Sequence, residues 1–175
     1  QTVLTTAEAA EAIAAAIPAY DSEVVPLAAA AGRILHEEVC AERDQPPFDR
    51  VTMDGIAVSF SALESGRRHF TVQGTQHAGD AVETLSSPDN CIEIMTGGVR
   101  PKHSDCIIPV ERITIEGKVA VVVDDYRGKC DQFIHAQGSD HKKGFAVLHA
   151  GHRIEPMDVA IIASCGLESV QVAER

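Results

Sequence analysis

The sequence predicts an α+β fold. A small α/β domain is built from both chain ends, residues 1–45 plus 146–175, and a β-rich, barrel- or sandwich-like domain, residues 46–145, is inserted between them. Three observations lead there. Helical signals are confined to the two ends of the chain. The middle consists of short apolar or alternating runs separated by glycine, proline and polar turn residues. No low-complexity linker and no internal repeat interrupts this pattern.

The first element follows from Thr5-Thr6-Ala7-Glu8, a hydroxyl with a carboxylate three residues on, which is the spacing of a capping box. It opens an alanine-rich helix with Ala9, Ile13, Ala16 and Ile17 on one side, stopped by Pro18. Leu27 to Ala31 reads as a short second helix ended by Gly32, because glycine accepts the left-handed conformation after a helix. Ile34 to Ala41 is expected to be extended. Ile56-Ala57-Val58, Phe70-Thr71-Val72 and Cys91 to Met95 are strand-like runs. Cys106 to Val110 is another, and Pro109 within it predicts an edge or a bulge. Arg112 to Ile115 and Val119 to Val123 flank Glu116-Gly117-Lys118, a hairpin with glycine where a positive φ is needed. Lys129 to Ala136 and Phe145 to His149 continue the strand pattern. A last helix starts at Pro156, whose missing N–H costs nothing in a first turn, with Asp158 at the positive end of the dipole. Val159 to Ala163 form its apolar face, Gly166 closes it, and Ser169 to Val172 form a terminal strand.

Composition narrows the function. Hydrophobic residues make up 45% of the 175, enough for a core, and no apolar run approaches the roughly 20 residues that span a bilayer. Gln1 to Ala16 has acidic residues and no basic segment, unlike a signal peptide, so a soluble cytoplasmic protein is expected. The formal net charge is −11, and Arg67-Arg68 and Lys142-Lys143 are too short to act as a nucleic-acid footprint. The same acidity means that an anionic ligand needs a local donor site, or positive charge from elsewhere in a larger protein. Five scattered cysteines include no C-x-x-C pair, so reduced thiols are expected, with Cys40, Cys91, Cys106 and Cys165 among apolar neighbours as small buried residues.

The chemistry-bearing residues are few. In Met53-Asp54-Gly55, Asp54 stands on a turn at the mouth of a strand, where it either organises the turn or serves as a hard oxygen ligand for Mg²⁺ beside phosphates. Forty residues on, Thr96-Gly97-Gly98 follows another apolar strand. A hydroxyl with consecutive glycine N–H groups can cradle an oxyanion, although such glycines more often only turn the chain. Asp54 and Thr96 meet only if their two strands are neighbours. Asp49 reads as a turn or cap residue, and Gly138 to Gly144 as a solvated loop. His149 and His152 flank Gly151 with no third ligand in evidence, against a metal site. No phosphate-binding glycine loop and no nucleophile–histidine spacing is present, so no complete active site is visible.

Taken together, Pro47-Phe48-Asp49 into Met53-Asp54-Gly55, Ile94-Met95-Thr96-Gly97, Asp105 leading an apolar strand to Glu111, Gly138 to Gly144 and Gly151 to Gly166 resemble, in this order, the molybdopterin molybdotransferases, the MoeA and gephyrin E-domain family. Members of that family insert molybdate into adenylylated molybdopterin to make molybdenum cofactor. The resemblance implies that the chain is the N-terminal two-domain portion of a longer protein. It implies a homodimer whose active site is shared between subunits, with Asp54 placing Mg²⁺ or molybdate, Thr96 donating to an oxyanion and Gly97 and Gly98 beside the cofactor. The isolated chain is then expected not to insert molybdate by itself. Some positions depart from the family pattern. Arg50-Val51-Thr52 stands for Asn-Ser-Ala, Ile56 for tyrosine, Gly98 for alanine and Phe133-Ile134-His135 for Asn-Ile-Arg, while Ser139 replaces a glutamate, so a charged pair is lost. The alternative function is a non-catalytic dimerisation or interaction scaffold, and a histidine metal protein is a third.

Overall fold

The computed structural model describes residues 4–17 and 20–174. In chain order the elements are α1 (Thr6–Ala16), β1 (Ser22–Pro26), a 3-10 turn at Leu27–Ala29, β2 (Val39–Cys40), β3 (Arg50–Val51), β4 (Gly55–Val58), α2 (Phe60–Glu64), β5 (His69–Gln76) and β6 (Asn90–Ile94). They continue with β7 (Cys106–Pro109), a 3-10 turn at Val110–Arg112, β8 (Ile113–Glu116), β9 (Val119–Val122), β10 (Ile134–His135), β11 (Ala146–Leu148), α3 (Pro156–Ser164) and β12 (Ser169–Ala173). The mixed α+β class expected from the sequence is what forms. The chain divides into two compact units, one of residues 1–42 and 144–175, the other of residues 43–143.

In the first unit, β1 and β12 pair antiparallel from Ser22↔Ala173 to Pro26↔Ser169, and β2 pairs antiparallel with β11. Val25, Leu35, Val39, Leu148, Ile154, Ile162, Val170 and Val172 form its core. Thr5 caps α1 in the expected way: its hydroxyl accepts from the Glu8 N–H and the Glu8 carboxylate accepts from the Thr5 N–H. The Pro18 stop lies outside the described residues. α1 has no buried residue, and Ile13 on its apolar side is 64% exposed. The predicted helix at Leu27 to Ala31 is shortened to a 3-10 turn, with Gly32 at φ +80° behind it. Along α3 only Ile162 is fully buried; within the apolar run Val159 to Ala163 the half-buried Val159 also packs on the core, while Ile161 is exposed. Cys40 is exposed, contrary to the buried position expected, because β2 alternates and turns Val39 inward.

In the second unit, six strands form one sheet in the order β7-β4-β6-β5-β9-β8. Pro109 ends β7, an edge strand, as its missing donor requires. β8 and β9 make the expected hairpin, with Gly117 at φ +64°. β5 and β6 are parallel, joined by residues 77–89, a connection long enough to cross over. The sheet is buried on both faces at its centre. Ile56, Val58, Phe70, Cys91, Cys106, Ile108 and Val122 pack with Leu63 of α2 on one side. Ala57, Ile94 and Ile107 pack on the other with Val51, and the half-buried Phe133 and Ile134 lie against them. Burying each isoleucine contributes roughly 1.5–3 kcal/mol. That second face is therefore covered by β3 and β10, which pair antiparallel as Val51↔Ile134 and Arg50↔His135.

Candidate functional site

The site is built by two strand ends. β4 and β6 are antiparallel neighbours with Gly55 opposite Ile94, which brings the residue before β4 beside the residues after β6. Asp54 and Thr96 meet there. One carboxylate oxygen, Oδ1, accepts both the Thr96 backbone N–H at 2.7 Å and the Thr96 hydroxyl at 2.8 Å. Both residues are exposed. The amide bond first, and the hydroxyl bond second, hold the Asp54 carboxyl below its ordinary value of 3.8, so it is anionic at neutral pH. Among the described residues no hydrogen bond is made to Oδ2.

The glycines make the turn that was one of the two readings of their sequence, and their amides are engaged within the chain. The Gly97 N–H donates to the Val51 carbonyl at 2.9 Å and the Gly98 N–H to the Met95 carbonyl at 3.0 Å. Neither amide is directed at a ligand. Gly97 adopts φ +87°, and a Cβ on Gly98 would lie 3.0 Å from both Ile94 Cδ1 and the Met95 oxygen. Their work is to turn the chain tightly so that Thr96 faces Asp54. The Thr96 hydroxyl likewise spends its one proton on Asp54.

The turn is fixed from beneath. Val51 N–H donates to the Gly98 carbonyl, Arg50 bridges Val99, and the Arg100 N–H donates to the Asp49 carbonyl. Residues 97–100, β3 and β10 thus form one ribbon. Gln76, 1% exposed, clamps it: its side-chain amide donates to the Val99 carbonyl and accepts from the Glu83 N–H, both at 2.7 Å. Asp49 does more than a local turn. Its carboxylate accepts the Gln137 N–H at 2.9 Å and the Arg100 guanidinium at 2.6 Å, which together lower its pKa against the cost of partial burial.

Sequence reasoning did not identify one further group on this ribbon. Arg50 lies 3.2 Å from His135 Nδ1, and His135 Nε2 lies 3.0 Å from Asp140 Oδ1. No spacing rule pointed to it, since its members come from β3, β10 and the following loop. That loop is tied down: Asp44 accepts the Lys143 N–H, and the Gly138 and Asp140 N–H groups donate to the Pro46 and Gln45 carbonyls.

Among the described residues no three His, Cys, Asp or Glu side chains are grouped to hold a metal ion. His149 pairs with Glu38 and His152 with Asp158 instead. Mg²⁺ does not need such a cage. It is commonly held by one or two carboxylates together with waters and substrate phosphates, and the exposed Asp54, with Oδ2 free of hydrogen bonds among the described residues, fits the part of one such ligand. No helix among the described residues is long and apolar enough to cross a membrane.

Known proteins bear on this geometry. The family model for the MoeA N-terminal region (domain I and II) matches residues 4–166. The chain belongs to this family. It is 32% identical over 173 residues to the molybdopterin molybdenumtransferase of Synechocystis, covering 99% of this chain and 44% of that protein. It is 31% identical over 150 residues to the molybdopterin molybdenumtransferase of Haemophilus influenzae, covering 86% of this chain and 37% of that one. The crystal structure of the molybdopterin biosynthesis moeA protein from Pyrococcus horikoshii OT3 superposes with a TM-score of 0.79 at 33% identity, over 87% of this chain and 41% of that one. The resemblance read from the motifs is thereby shown. The chain spans less than half the length of these relatives, of which the Synechocystis and Haemophilus proteins are transferases by name.

Proposed function

We propose that the chain provides one wall of the site at which molybdate is inserted into adenylylated molybdopterin, with Asp54 and Thr96 meeting the substrates. The observation that carries this reading is the Asp54–Thr96 contact, an exposed, ionised carboxylate positioned by an amide and a hydroxyl from 42 residues away. The Asp54 carboxylate is exposed, with Oδ1 fixed by two bonds and no hydrogen bond to Oδ2 among the described residues.

In this reading Asp54 Oδ2 ligates Mg²⁺, which when bound would neutralise charge on the substrate phosphates and oxyanion. The amide of Thr96 keeps the carboxylate in place. Its hydroxyl is the adjustable donor: rotation about the Cβ–Oγ1 bond redirects its O–H from Asp54 to an oxyanion, so that donation is coupled to loss of one of the two bonds on Oδ1. Gly97 and Gly98 bring the backbone close to the bound cofactor without a side chain in the way. The remaining wall comes from another domain, across a homodimer, and the protein acts in the cytoplasm.

The test is insertion of molybdate by the protein at its native length. Asp54→Ala is expected to slow it by about 10²-fold or more, in line with loss of a preorganised electrostatic group, and Thr96→Ala by less. The 175-residue chain alone should form no molybdenum cofactor. Unchanged insertion in both variants would contradict a catalytic role and favour the scaffold function.

A further inference from the structure

The proposed site has an electrostatic problem. It asks an anionic substrate to approach a chain of net charge −11, at a carboxylate, beside glycine amides that are already bonded. Beside the Mg²⁺ proposed at Asp54, a cationic side chain close by would offset this charge. The ribbon under the Thr96 turn carries two guanidiniums. That of Arg100 is committed, with Nε and one amino group on Asp49 and the other on the Ser104 carbonyl. Arg50 is exposed, and its described contact uses a single amino group.

Its partner defines its orientation. Arginine can only donate, so His135 Nδ1 is the acceptor, and the imidazole proton therefore sits on Nε2 and is donated to Asp140 Oδ1. Asp140 fixes the tautomer, the tautomer presents a lone pair to Arg50, and the guanidinium is held by one amino group, its other donors making no hydrogen bond among the described residues. Val51 is fully buried, so strand alternation puts Arg50 on the outer side of β3. Arg50 stands opposite Val99, three positions after Thr96, and the carbonyl of the next residue, Val51, accepts the N–H of Gly97, the residue after Thr96, so Arg50 lies beside the turn that carries Thr96.

We propose that Arg50, oriented by His135 and Asp140, binds an oxyanion of the substrates at the Asp54–Thr96 site, either the free tetrahedral oxyanion or a phosphoryl group of the pterin nucleotide. The inference rests on the reading of Asp54 and Thr96 given above. Arg50 is the binding residue, and His135 is a positioning residue acting through it.

The experiment uses the native-length protein and its Arg50→Gln, Arg50→Lys, His135→Leu and His135→Asn variants, measuring KM for each substrate, kcat, and equilibrium binding of molybdate by calorimetry. Arg50→Gln is expected to raise one substrate constant about tenfold, the size of one charge-assisted hydrogen bond at an open site, while kcat changes less than about threefold. A rise in the molybdate KM and Kd assigns the free oxyanion; a rise confined to the pterin nucleotide assigns its phosphoryl group. Arg50→Lys should fall between, keeping charge without the fork. His135→Leu should raise the same constant, and His135→Asn, which keeps an acceptor near the Nδ1 position, should restore it. Wild-type constants in Arg50→Gln would overturn the proposal, and wild-type constants in His135→Leu would overturn the positioning role. If Asp54→Ala abolishes insertion while Arg50→Gln is silent, only the present inference fails; if both are silent, the site itself is wrong.

Discussion

Replacing Gly55 by alanine tests how the strand that carries Asp54 is held. Gly55 has no positive φ to justify it; its need is space. A Cβ there would overlap the Ile108 carbonyl oxygen, and would lie 2.9 Å from the Ile108 carbonyl carbon and 3.0 Å from Pro109 Cα. Ordinary carbon–carbon contacts are about 3.5–4.0 Å, so β7 must retreat by at least half an ångström along its backbone. The retreat strains the Gly55↔Pro109 and Ile56↔Ile108 rungs and the 2.9 Å bond from the Val110 N–H to the Asp54 carbonyl. Two backbone bonds at about 1 kcal/mol each, with 1–3 kcal/mol for repacking a filled core around Ile107 and Ile108, give about 3–5 kcal/mol. With a urea m-value of about 2 kcal/mol/M, the unfolding midpoint of Gly55→Ala should fall by roughly 2 M. Gly117→Ala is the control, since nothing lies within 4 Å of its added Cβ and only its φ of +64° is penalised, at about 1 kcal/mol. A fall of less than about 0.5 M for Gly55→Ala would refute the close-approach argument.

Thr5→Ala should melt α1 alone: a lost cap costs about 1 kcal/mol, and a helix that buries nothing transmits little of it, so amide exchange at Ala9 and Ile13 should accelerate while the global midpoint stays fixed. Asp54 has a depressed pKa, so the stabilisation from its Thr96 bonds is fully present above the ordinary value of 3.8 and is lost as pH falls through the lower folded value. Carboxyl NMR should show this titration below 3.8, and Thr96→Ala should shrink the shift without reversing it, because the amide is the larger cause. Iodoacetamide should label Cys40 and Cys130 in the native protein and spare Cys91 and Cys106, whose thiols burial pushes up to about 12.

Local rules carried the sequence reading where a residue's reason lies within a few positions of it. Thr5 and Glu8 satisfy each other across one turn, Gly117 closes a hairpin, and Pro156 starts a helix, so each was legible. Pro109 was legible as an edge because it lacks a donor. The reading failed where the reason is distant. α2 was missed because its first amide is capped by Asp105, 45 residues on, while Ser59 makes no cap bond. β1 was missed because its partner is the terminal strand, and the parallel β5–β6 pair leaves no mark in either strand. The site was half legible. Its two motifs identified Asp54 and Thr96, but the direction of their hydrogen bonds, the engaged amides of Gly97 and Gly98, and the Arg50–His135–Asp140 group all depend on the register of the ribbon.

The central claim is that Asp54 and Thr96 act as one unit in molybdate insertion. A double-mutant cycle on the native-length protein, comparing insertion rates of Asp54→Ala, Thr96→Ala and the double variant, tests it most directly. Groups that act together are non-additive, so the double variant should lose little more than Asp54→Ala alone. Rate losses that multiply independently, or a double variant with the wild-type rate, would contradict the account.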